Sequence, residues 1–67
     1  MNLVRVEKAQ AAAQRFVKAV AALETRIEED PQIRRYIEIG VGYRETAAVR
    51  RASLDLTRAL AELRRRG

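Results

Sequence analysis

Apolar side chains recur along residues 3–29 at alternating intervals of three and four: Val6, Ala9, Ala13, Phe16, Val20, Leu23 and Ile27. That interval puts all seven on one stripe of an α-helix. Leu3, Ala12, Val17 and Ala19 widen the stripe, while Glu7, Lys8, Gln14, Arg15, Lys18, Thr25, Glu28 and Glu29 fall on the other side. Alanine, the strongest helix former, fills much of the segment. A helix over 3–29 would be about 40 Å long. Residues 44–66 repeat the pattern with Val49, Ala52, Leu56, Ala59 and Leu63, and Leu60 alongside. Glu45 in the first turn and Arg64, Arg65 and Arg66 in the last suit the helix dipole.

Between these segments the pattern breaks. Proline disfavours a helical conformation for the residue before it, so the first helix is expected to end near Asp30-Pro31. Asp30 can cap a new helix that has Pro31 in its first position. This short helix is expected over 31–39, with Ile33, Tyr36 and Ile37 on one face and Gly40 as its stop. The segment Asn2–Glu7 alternates well enough for a short strand, as in ribbon-helix-helix proteins. The helix that follows is far too long for that fold.

The expectation is an all-α chain: one helical-hairpin domain over 1–67, with two long antiparallel helices and a short bent connecting helix. A single hairpin leaves each helix wet on one side, and these stripes are too wide for that. Leaving several leucine-sized side chains exposed forfeits about 1.5–3 kcal/mol each, against a whole-domain stability of only about 5–15 kcal/mol. A two-fold homodimer closing a four-helix bundle resolves the conflict. Its core would hold Val6, Ala13, Phe16, Val20, Leu23 and Ile27 from the first helix and Val49, Leu56, Leu60 and Leu63 from the last. Alanines 9, 12, 13, 19, 52 and 59 allow close helix approach.

Composition narrows the chemistry. A 67-residue chain is one domain at most, and such small domains are commonly held by disulfides, a metal or oligomerisation. With no cysteine and no histidine, disulfides, thiolate metal sites and the commonest general base are excluded. Ser53 is the one serine and has no histidine to activate it. Glu28, Glu29 and Asp30 are consecutive at a helix end and point in different directions, which suits solvent better than a cation. The Gly40-Val41-Gly42 run lacks the lysine and preceding strand of a phosphate loop. A non-enzyme without cofactor or metal is expected. Charges interrupt every apolar run well before about 18 residues, and the charged N-terminus is unlike a signal peptide. A cytoplasmic protein without membrane association is therefore expected.

Fourteen basic residues, twelve of them arginine, oppose nine acidic ones, for a net charge of +5. The excess lies late in the chain: residues 44–67 carry seven basic and three acidic side chains. Arg51, Arg58 and Arg65 recur every seven residues with Arg50 and Arg64 beside them. This stripe could follow phosphates, making a small nucleic-acid-binding regulator the alternative function. Pairs spaced i, i+4 (Arg51–Asp55, Arg58–Glu62, Glu62–Arg66) would neutralise part of it. A helix-turn-helix reading fits poorly, because it places Tyr36 or Glu38 where the turn needs a small residue.

The connector points to a protein partner instead. Tyrosine and arginine are enriched at interface hot spots. Of the three aromatics, Phe16 lies on the core stripe, while Tyr36 and Tyr43 flank the connector with Arg34, Arg35 and Arg44. Tyr36 shares a face with Ile33 and Ile37, so Tyr43 is expected to be the more exposed. In layout and composition, with "ETAAVRRASLDLTRALAELRRR" at its end, the chain resembles small early proteins of bacteriophages of GC-rich bacteria. These include the quorum-sensing anti-activators of Mu-like Pseudomonas phages, which are small helical dimers. The resemblance implies a stoichiometric inhibitor or adaptor of a host regulatory protein, and carries no individual residue with it.

Overall fold

The computed structural model describes residues 2–65, and all its regular structure there is helical. Helix α1 spans Leu3–Glu29, α2 spans Gln32–Glu38 and α3 spans Arg44–Leu63. Asn2 opens α1: its side-chain oxygen accepts from the backbone N–H groups of Val4 (2.9 Å) and Arg5 (3.3 Å). These are two of the N–H groups a helix start leaves without an internal partner. The N-terminal residues are therefore helix from Leu3 onward, not strand.

α1 and α3 pack against each other, and α2 packs on α1. Two contacts fix the antiparallel sense. Arg26, near the end of α1, pairs with Glu45 in the first turn of α3 at 3.4 Å. Arg5, in the first turn of α1, donates to the Arg65 carbonyl just beyond α3 at 3.1 Å. The seam itself is small. Ala9, Ala12 and Ala52 are buried along it, and Ile33 of α2 is the one larger buried residue among those described. Alanines let the helix backbones approach, but each buries little area.

The large residues of both stripes are only half-buried: Val6, Phe16, Val20, Leu23 and Ile27 on α1, and Val49, Leu56, Leu60 and Leu63 on α3. Ala13 is half-buried as well. The chain measures 48 × 19 × 12 Å, so its thinnest dimension is about one helix. One layer of helices cannot enclose a core.

Two boundaries differ from the expected ones. α2 begins at Gln32, because Pro31 takes the capping position with helical angles (φ −59°, ψ −20°) but supplies no N–H. α2 ends at Glu38 and not at 39. α3 ends at Leu63 and not at 66, so Arg64 and Arg65 follow the last turn instead of occupying it. The Arg65 N–H reaches back three residues to Glu62, a tightening that marks a helix end. Arg66 lies outside the described residues.

Candidate functional site

The hairpin tip is assembled by a chain of local devices. The Asp30 carboxylate accepts from the Gln32 N–H at 3.2 Å, and its carbonyl accepts from the Ile33 N–H at 3.0 Å. These bonds start α2 one turn after α1 stops. Ile33, 3% exposed, anchors the short helix from below. At the far end the Val41 N–H bonds the Tyr36 carbonyl (2.9 Å) and the Gly40 N–H bonds the Ile37 carbonyl (3.1 Å). This is a Schellman stop, and it needs a left-handed residue at Gly40, whose φ is +101°. Thr46 then fixes the entry to α3. Its hydroxyl donates to the Tyr43 carbonyl (2.8 Å) and accepts from the Tyr43 N–H (3.1 Å).

These constraints leave apolar side chains facing water. Tyr36 is 44% exposed, Ile39 71% and Val41 43%. Tyr36 and Ile39 line a depression of about 360 Å³ with Gln32 and Arg35. Arg34 is exposed and pairs with Glu38 at 3.8 Å, a surface pair that leaves the guanidinium largely available. Arg44 is exposed beside the start of α3. Tyr43 is half-buried, so the tyrosines exchange the roles expected of them. Tyr43 is held by its place at the α3 start, whereas the anchoring of α2 rests on Ile33 and leaves Tyr36 outside. Ile39, which lines the same depression as Tyr36, and Val41, whose N–H bonds the Tyr36 carbonyl, are missed by a reading that weighs only aromatic and charged residues. Their signal is the pair of apolar residues bracketing Gly40.

The two broad sides of the hairpin differ in character. One carries a groove of about 460 Å³ with alanines at its base, bordered by Lys8 and Arg15 of α1 and by Asp55, Arg58 and Glu62 of α3. The other carries a shallow depression of about 440 Å³ along α1, where Ala13, Val17 and Ala21 lie among Gln10, Gln14 and Lys18. Val17 is 66% exposed there.

The basic stripe divides between these sides. Positions on a helix advance by about 100° per residue, so Arg51 and Arg58 follow the charged side while Arg50 and Arg64, which keeps helical angles at the C-cap (φ −81°, ψ −8°), follow the opposite edge; Arg65 lies beyond the helix. Among the described residues, the expected pairs Arg51–Asp55 and Arg58–Glu62 do not form within 4 Å. Asp55, Arg58 and Glu62 all border the seam groove without pairing, since such a surface pair gains little. The pair Glu62–Arg66 lies outside the described residues. No group of three or more potential metal ligands converges among the described residues, and Glu28, Glu29 and Asp30 are each exposed. No described helix is long and apolar enough to cross a membrane. Comparison with protein families, curated proteins and solved structures finds no match for this chain.

Proposed function

We propose that this protein is a non-catalytic interaction module that works as a homodimeric four-helix bundle and holds a partner protein at its hairpin tip. Its role is that of a stoichiometric inhibitor or adaptor of a regulatory protein. The observation that carries this reading is the exposed Tyr36, Ile39 and Val41 group, displayed on a tip locked by the Schellman stop and bordered by Arg34 and Arg35. A rigid display loses less entropy on binding than a flexible loop. Tyr36 would enter an apolar pocket of the partner with its hydroxyl at the rim. The arginines would meet carboxylates and contribute orientation and association rate. Half-buried stripe residues support the dimer, since a second hairpin would cover them.

The test begins with affinity capture from a bacterial lysate treated with nuclease, followed by calorimetric binding of the partner obtained. Tyr36→Ala should weaken binding by at least about 2 kcal/mol, roughly thirtyfold, with its melting curve unchanged. Parental binding by both Tyr36→Ala and Ile39→Ala would remove the tip from the account.

One observation favours a second reading, nucleic-acid binding. Arg51 and Arg58 lack the expected acidic partners, and Arg58 shares its groove with Lys8 and Arg15. Replacing Arg51, Arg58 and Arg65 with glutamine should then lower duplex affinity and flatten its salt dependence by up to about 0.9 per lost phosphate contact. An unchanged salt slope contradicts this reading.

A further inference from the structure

We infer that the dimer forms through the Val17 side of the hairpin, with its two-fold axis along the bundle, so that both tips emerge at the same end and form one continuous partner-binding surface. This rests on the homodimer proposed above and adds to it a face, an orientation and a bivalent partner site.

Area argues for the occupant. The chain exposes 5697 Å², whereas a compact monomer of its 7.6 kDa mass would expose about 4,300 Å². The excess, about 1,400 Å² per chain, exceeds the roughly 800 Å² that each partner contributes to a standard stable interface. A second copy is thus the right size to cover it.

The choice of face follows from the asymmetry of the two sides. Covering the groove side would desolvate Lys8, Arg15, Asp55, Arg58 and Glu62, a costly set of charges. Covering the other side buries Val17 and completes the burial of Val6, Val20, Val49 and Leu60, and its depression carries one charged residue, Lys18, beside Gln10 and Gln14, against five charges around the groove.

Charge then selects the orientation. The outer edge of this face on α1 runs through Glu7, Gln14, Ala21 and Glu28, seven residues apart and all exposed. The corresponding edge on α3 runs through Arg50, Thr57 and Arg64, also seven apart and exposed. The first edge is acidic and the second basic. The Arg26–Glu45 and Arg5–Arg65 contacts set the levels along the hairpin: Glu7 lies level with Arg64, Gln14 with Thr57, and Ala21, one turn from Glu24, with Arg50. A two-fold along the bundle axis preserves these levels and lays α1 of one protomer beside α3 of its partner, which sets Glu7 against Arg64 and brings Glu24 within a turn of Arg50, with Gln14 and Thr57 neutral between them. A two-fold across the bundle lays each edge against its own copy, glutamates beside glutamates and arginines beside arginines. It would also send the tips to opposite ends.

The native chain contains no cysteine, so single spin labels can be placed cleanly at Ile39→Cys, on the tip, and in a second variant at Val4→Cys, at the open end. Both positions are exposed. Dipolar distance measurement on each dimer should give inter-label distances under about 30 Å at both ends, because neighbouring helix axes lie about 8–10 Å apart. Distances near the 48 Å length of the chain at both ends would overturn the orientation while leaving the dimer in place. Absence of dipolar coupling in both variants would overturn the dimer itself, and neither failure touches the tip binding tested with Tyr36→Ala.

Discussion

Gly40 and Gly42 sit two residues apart in the connector, yet only one is constrained. Gly40 has φ +101° and an added Cβ would meet nothing within 4 Å. Its requirement is thus purely conformational. Gly40→Ala should destabilise by about 1–2 kcal/mol, the cost of left-handed backbone for an L-residue. Gly42 has no positive φ and open space around it. Gly42→Ala should be neutral or stabilising by up to about 1 kcal/mol, through a less flexible unfolded chain. Denaturant melts of the two variants check this, and equal losses would contradict the assignment of the stop to Gly40. Gly40 was legible as a helix stop from its place after an apolar-periodic run. The exposure of Tyr36 was not, because periodicity put it with Ile33 and Ile37, and the short helix docks through the buried Ile33 with Ile37 half-buried, which leaves Tyr36 at the outer edge of that face.

At the scale of elements, both long helices were legible from the three-and-four interval, and their starts fall at the expected positions. The end of α3 was not. Helix dipole reasoning favours arginines inside a last turn, but it cannot say where the turn ends. The pairs Arg51–Asp55 and Arg58–Glu62 do not form although Arg34–Glu38, at the same spacing, does: spacing makes a surface pair possible, and so little is gained by it that spacing alone does not decide which pairs form. Phe16 and Leu56 are half-buried in the hairpin, and the proposed bundle would complete their burial. Phe16→Ala and Leu56→Ala should each cost about 2–5 kcal/mol, as large-to-small changes in packed sites do. Melting should also depend on protein concentration, since folding and dimerisation are coupled in the proposed bundle. A parental melting curve for Phe16→Ala would contradict the stripe assignment.

For the whole molecule, the alanine-lined seam explains why the hairpin is a single layer whose large stripe residues stay half-buried. The residues buried along the seam are alanines, so little apolar area is enclosed there. One side is a groove of mixed charge, and the other carries the exposed Val17 with Ala13 and Ala21 among Gln10, Gln14 and Lys18. The tip, held by local hydrogen bonds and by the buried Ile33, presents its apolar groups to water. The central claim is that this hairpin is half of a bundle, and solution mass tests it most directly. Light scattering at micromolar concentration should give twice the 7.6 kDa chain mass, and Val17→Glu, which places a charge in the shared face, should shift the protein toward an unfolded monomer. A folded, stable monomer of the parent protein at that concentration would contradict the account.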